Sequence, residues 1–177
     1  RQRFLADASR MLAESMDYQG TLTMIARLAV PDLADWCVVD LIQGDGRMAR
    51  VAIEHKDPLR LTLAHTLQEH FPPRSDAAVG PSHVVRTGRT EFEAQISDSS
   101  IRAIAPEAER RRLLAGLGLN SYISVALNTR GRILGAITFF TDTGRSLFPD
   151  DVAMAEDLAR RAATAIDNLR LYDQAQR

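Results

Sequence analysis

The chain has 177 residues, a formal net charge of −1 and 45% hydrophobic residues, enough for one domain with its own core. A balance so near neutral gives no general attraction to nucleic acid or to an anionic membrane. One cysteine, Cys37, leaves neither a disulfide framework nor a thiolate zinc site; with apolar runs too short to span a bilayer and no visible secretory signal, this predicts a cytoplasmic domain.

Near the start, Phe4, Leu5, Ala8, Met11 and Leu12 share one helical face. Asp17 suits the N-cap of a second helix that buries Leu22, Ile25, Ala26 and Ala29 and stops at Pro31. Residues 34–42 are almost wholly apolar, as in a strand covered on both faces. Gly44-Asp45-Gly46 predicts a hairpin, and residues 48–55 return as its antiparallel partner. Residues 59–71 have helical spacing, stopped by Pro72-Pro73.

Residues 74–119 are the least regular. They offer a helical turn over 82–86 closed by Gly88, a short strand over 91–96, and a helix with Pro106 as its first residue. Leu113, Leu114 and Leu117 line that helix, and Gly118 is its C-terminal cap. Residues 121–127 and 132–141 form a second hairpin around Asn128-Thr129-Arg130-Gly131. From Asp151 onward the pattern is helical without a Gly or Pro to the last residue. Both ends fall inside helical patterns, as expected of one domain, residues 1–177, cut from a longer protein, with terminal helices over 1–16 and 151–177. Hairpins between terminal helices predict an α+β fold, an antiparallel sheet sandwiched by helices.

Three stretches together resemble a GAF domain: Leu33-Ala34-Asp35-Trp36-Cys37-Val38-Val39-Asp40-Leu41, Arg130-Gly131-Arg132-Ile133-Leu134-Gly135-Ala136, and Phe148-Pro149-Asp150-Asp151 through Ala165-Ile166-Asp167-Asn168-Leu169-Arg170-Leu171-Tyr172. The resemblance covers essentially the whole chain. Its nearest flavour is the module that precedes a histidine kinase or a PPM-type phosphatase module in bacterial sensor proteins. It implies a central antiparallel sheet of five or six strands, terminal helices on one face, and a ligand pocket on the other, roofed by the irregular middle. The implied role is non-enzymatic: a small ligand binds, and the C-terminal helix relays the signal to a kinase or phosphatase module of the same polypeptide. The alternative is a purely structural dimerisation module with a collapsed pocket. A sulfoxide reductase, known in another branch, needs several cysteines where this chain has one.

The resemblance raises three cofactors, and the residues support none of them. Cys37 lies in an apolar strand, where it reads as a small hydrophobe, whereas bilin attachment in relatives uses a cysteine in or near the irregular region. The Asn-Lys-Phe-Asp-Glu signature of cyclic-nucleotide binders is missing, and the only lysine, Lys56, lies outside a matching context. Heme needs one axial histidine, for which His83 in the roof is best placed, though its plainer reading is a partly exposed polar residue. His65 and His70, five apart, fall on different helix faces, so no metal site is expected.

Tyr122 and Ser124 share a strand face. A two-residue turn at Arg130-Gly131 would continue that face through Ile137 and Phe139. This predicts a pocket lined by Tyr122, Ser124 and Phe139, with Phe92 and His83 added from the middle, while Ile123, Val125 and Leu127 meet the terminal helices. Arg86, Arg89 and Arg110-Arg111-Arg112 form either an anion receiver or a solvated face, the latter supported by Glu107 and Glu109. No catalytic motif appears. The long apolar stripe of the last helix predicts a homodimer through Leu158, Ala162, Ile166 and Leu169, joined by Phe4, Leu5 and Met11; the plainer reading packs that helix on its own sheet.

Overall fold

The computed structural model describes residues 3–6, 18–72 and 74–176, so Ala8, Met11, Leu12, Asp17 and Pro73 lie outside the described residues. The elements in chain order are α1 (Tyr18–Ala29), β1 (Trp36–Ile42), β2 (Met48–His55), α2 (Pro58–His70), α3 (Pro81–Thr87), β3 (Glu91–Glu93), α4 (Asp98–Ile104), α5 (Ala108–Leu117), β4 (Leu119–Thr129), β5 (Arg132–Asp142) and α6 (Pro149–Gln176). The five strands form one antiparallel sheet in the order β2-β1-β5-β4-β3. The fold is the α+β sandwich expected, with five strands.

Local chemistry sets most of the boundaries. Pro58 opens α2 behind Asp57, whose side chain accepts from the Leu59 N–H. Gly118 ends α5 in the left-handed conformation, as a C-terminal glycine cap does. Asp151 accepts from the Phe148 N–H at 2.7 Å and, with Asp150, places negative charge at the start of α6.

One face of the sheet is sealed. Cys37, Val39 and Leu41 of β1, Ile123, Val125 and Leu127 of β4, and Ile137 and Phe139 of β5 form one cluster with α1 and α6. From α1 come Leu22, Ile25, Ala26 and Ala29; from α6 come Ala155, Leu158, Ala159, Ala162, Ala163 and Ile166. The small residues of α6 let it lie close to β4 and β5 and against α1. At the far end, Arg130 in the hairpin turn meets Asp167 of α6 at 3.4 Å. Gly135 faces Leu41 across the strands; a Cβ there would stand 2.0 Å from the Asp40 carbonyl oxygen, so no side chain fits without moving the backbone.

Three expectations in the middle and the hairpin change. The strand predicted over 91–96 covers only Glu91–Glu93, and α4 follows, started by the Ser97 hydroxyl, which accepts from the Ser100 N–H. Pro106 lies before Glu107, the N-cap of α5, and not inside the helix. The β4–β5 turn is the two-residue Arg130-Gly131 turn expected, both residues at positive φ. Immediately beyond it Asn128 pairs with Ile133 but Leu127 pairs with Gly135, so Leu134 is an extra residue in β5. Past this bulge, from Gly135 to Thr141, the side chains of β5 face the opposite way from the unbroken register; a second irregularity between Leu119 and Ser121 restores it at Asp142.

Candidate functional site

The second face of the sheet is roofed by α2, Phe71, residues 74–82, α4 and α5, and the roof does not close on it. A cavity of about 130 Å³ remains between them. Trp36, Val38, Ile53, Tyr122, Thr138 and Phe140 form its floor; Leu67, Ile104, Leu114 and Leu117 form much of its roof.

The bulge decides which aromatic residue faces this space. Tyr122 is paired with Phe140 and Ser124 with Thr138, and the Tyr122 and Phe140 rings lie 5.9 Å apart. Phe139 pairs with Ile123 and is fully buried against the terminal helices, so it corrects the predicted pocket residue by one position. Phe92 is corrected likewise: it sits opposite Ile123 and packs on the same sealed cluster. Ser124 lies on the predicted face, but its hydroxyl is bonded to Thr138 at 2.9 Å, and Thr138 is the one that lines the cavity. Tyr122 lines it as expected.

His83, predicted to line the pocket, is not among the lining residues: it stands on α3 beside the roof, with Nδ1 turned to Glu91 Oε2. Glu91 is the fastening point of this side. Its Oε1 also accepts from the Tyr122 hydroxyl and from the Gly80 N–H, both at 2.8 Å. Burial, with Glu91 beside it, pushes the Tyr122 phenol far above its ordinary value, so it stays a neutral donor. Glu93, one step along the same face, accepts from the Ser100 hydroxyl at 2.6 Å and the Ser97 N–H at 3.2 Å, which ties α4 to the sheet edge. Burial works against charge on Glu93, yet these bonds and the nearby Tyr122 hydroxyl outweigh it and hold its carboxyl below the ordinary value. Arg86 donates to the Ser75 and Ala77 carbonyls and Arg111 to those of Ala105 and Pro106, so both stitch the roof backbone. Arg112 pairs with Glu109 in solvent, the plain reading of that stretch.

Trp36 is fixed from behind. Its Nε1 donates to Asp142 Oδ1 at 2.8 Å, and the His55 ring lies 4.3 Å from the indole. His55 Nδ1 accepts from the Asp57 N–H, which leaves Nε2 to donate to Asp142 Oδ2 at 2.8 Å.

Three arginines border the cavity, Arg50, Arg74 and Arg110. Arg50 forks onto the buried Asp40 at 3.0 and 3.4 Å, and Arg74 onto Asp76, both contacts at 3.1 Å. Of the three, only Arg110 is among the arginines that the sequence offers as an anion receiver. Asp40 carried an unused signal: a carboxylate in a strand buried on both faces must be paired, and its partner lies across the hairpin at Arg50.

Cys37 is buried on the sealed face. Burial, with Glu54 and Asp40 adding, drives its thiol far above the ordinary range, as suits a packing residue.

The GAF domain family model matches residues 2–166. The chain belongs to the GAF domain family. Solved structures repeat this GAF fold at low identity. The GAF domain of an Acinetobacter phosphoenolpyruvate-protein phosphotransferase has a TM-score of 0.70 at 12% identity, covering 96% of this chain and 94% of that one. Free methionine-R-sulfoxide reductase from Neisseria meningitidis, solved with its substrate, has a TM-score of 0.69 at 14% identity, covering 97% and 90%. A domain assigned to a two-component sensor histidine kinase protein of Sinorhizobium meliloti has a TM-score of 0.57 at 17% identity, covering 85% and 91%. No curated protein matches the sequence. Likeness at these identities establishes the fold, and GAF domains as a class are sensory or regulatory modules. Among the described residues no helix is long and apolar enough to cross a membrane.

Proposed function

We propose that this GAF domain is a non-enzymatic sensory module that holds a small ligand in the roofed cavity and reports it through α6. The observation that carries this reading is the cavity itself: the strands that floor it are the strands on which α6 lies. Tyr122 and Phe140 face the cavity while their chain neighbours Ile123 and Phe139 face α6, so a shift of β4 or β5 is felt on both sides. A second link skirts the sheet edge. Glu91 holds the roof, and Thr90 beside it donates to Glu156 of α6 at 2.8 Å. Ligand binding would select between two roof and helix arrangements. The only cysteine, Cys37, is buried on the sealed face away from the cavity, which supports the non-enzymatic part. The open cavity weighs against the purely structural alternative, which needs a collapsed one.

The output is a kinase or phosphatase module of the same polypeptide, and the setting is the cytoplasm of a bacterial signalling cell. The domain works as a homodimer, but through fewer residues than the stripe suggested. Leu158, Ala162 and Ile166 are fully buried against their own sheet, and Phe4 packs on the same cluster, so they are already spent within one chain. Leu169 and Leu5 are half-buried, and Leu171 and Tyr172 are 40% and 52% exposed, which leaves the last turns of α6 for a second copy.

A thermal-shift screen of small metabolites tests the ligand reading. It compares the wild type with Ala64→Phe and the milder Ala64→Leu, which fill the cavity from α2. At least one compound should raise the melting temperature of the wild type and not of the filled variants. If no compound separates them, the cavity is not a ligand site.

A further inference from the structure

The cavity has a size, a lining and one bordering cation without a hydrogen-bond acceptor, and together these define a ligand class. At about 130 Å³ it is close to the engineered cavity of about 150 Å³ that accepts benzene, so it fits an apolar body of roughly one ring. The floor around Trp36, Ile53 and Phe140 is apolar.

The three bordering arginines are not equivalent. Arg50 and Arg74 are each engaged by a carboxylate through two hydrogen bonds, to Asp40 and Asp76. Arg110 is different. Its side chain is only 13% exposed, and its nearest carboxylate, Glu107, stands at 3.9 Å, outside hydrogen-bond reach. Its guanidinium sits 5.9 Å from the centre of the Phe71 ring, and among the described residues no acceptor bonds to it. Burial pulls its pKa down; Glu107 opposes this, and Arg50 and Arg74 add to it by repulsion. A largely buried cation with only a loose ion pair and no hydrogen-bond acceptor is a standing cost, and an anion beside it would offset that cost.

Resting on the ligand-sensing reading above, we propose that the cavity takes a small monocarboxylate, its ring-sized apolar body against Trp36 and Phe140 and its carboxylate on the Arg110 guanidinium. One planar fork matches one carboxylate. A phosphate ester would bring more charge than this one free fork can meet, because the Arg50 and Arg74 forks are occupied. A neutral isostere would leave Arg110 as it is.

Trp36 is the only tryptophan and a wall of the cavity, so its fluorescence reports this site alone. The probes are benzoate, benzamide and phenyl phosphate, titrated at neutral pH into the full chain. Benzoate should give a saturable change and bind at least about tenfold more tightly than benzamide, the margin expected of a charge-assisted contact. Arg110→Gln should weaken benzoate by at least about tenfold and leave benzamide unaltered, while the solvent-side Arg112→Gln changes neither. Arg110→Lys, which keeps charge but not the fork, should fall between wild type and Arg110→Gln, with circular dichroism confirming that each variant is folded. Benzamide binding as tightly as benzoate would sink the anion assignment while leaving the cavity a ligand site. Tighter binding of phenyl phosphate would overturn the choice of a carboxylate. No saturable response to benzoate would overturn the proposal by itself, and the metabolite screen then decides separately whether the cavity takes anything else.

Discussion

The two faces of the sheet are made by the same strands and finished in opposite ways. On the α1 and α6 face, regular helices with apolar stripes cover alternating apolar residues, and the layer closes completely. On the other face, short helices and loops are tied down by polar side chains, above all Glu91, Glu93, Arg86 and Arg111, and a space remains. Burial of apolar area is non-directional and fills what it can reach. Hydrogen bonds set distances, so a roof held by them can stand off from its floor. The sealed face carries most of the apolar burial, and the tied face keeps a space.

The sharpest way to break this contrast is at adjacent residues. Phe139→Ala, on the sealed face, should cost about 3–5 kcal/mol. Phe140→Ala removes a ring that is only half-buried and already borders open space, so it loses fewer contacts and should cost less than about 2 kcal/mol. Urea unfolding measures both, and equal losses would mean the faces do not differ in this way. Next in size is Glu91→Gln, which keeps shape but removes the charge and one of the two oxygens that between them serve Tyr122, Gly80 and His83. A loss of about 1–3 kcal/mol is expected, with faster hydrogen exchange concentrated in α3 and the 74–80 segment. Exchange that rises evenly across the domain would show that Glu91 does not hold the roof in particular.

A smaller effect is read with pH. The folded-state pKa of Glu93 is depressed, so its stabilisation is fully present above the ordinary value of about 4.5 and is lost as pH falls through the lower folded value. Wild type should therefore lose stability in that acidic window relative to Glu93→Gln, whose profile is flatter there. Parallel profiles for the two proteins would remove Glu93 from the roof ties. Smallest of all, Leu171→Ser and Tyr172→Ser should leave unfolding free energy within about 0.5 kcal/mol, because both side chains are exposed. Analytical ultracentrifugation should show the same variants shifting dimer to monomer; a wild-type chain that is monomeric at tens of micromolar disposes of the dimer.

The sealed face was legible in the sequence because periodicity is a local signal. Leu22, Ile25, Ala26 and Ala29 repeat at helical spacing, and residues 34–42 read as a strand covered on both sides. Gly118 and Arg130-Gly131 announced a cap and a turn through their backbone preferences. The cavity was legible only in part. Tyr122 was found, but Arg50 and Arg74 come from β2 and a loop, and only the folded chain brings them to Arg110. The helix α4 was hidden because residues 97–104 are rich in serine and charge, and its start signal, Ser97, sits in a segment with few apolar positions. The sequence points to Phe139 and not Phe140 because a bulge leaves no reliable mark in residue type, although Gly135 stands next to it.

The extra residue at Leu134 makes the hairpin a parity device. Adding or removing two residues between the bulge and the turn would lengthen or shorten the arm without changing which chemistry meets the cavity. Removing one would exchange Phe140 for Phe139, Thr138 for Ile137, and so turn the floor inside out. Relatives whose hairpins differ by an odd number of residues would therefore turn different side chains to the cavity from the same alignment columns, even where the letters in those columns agree.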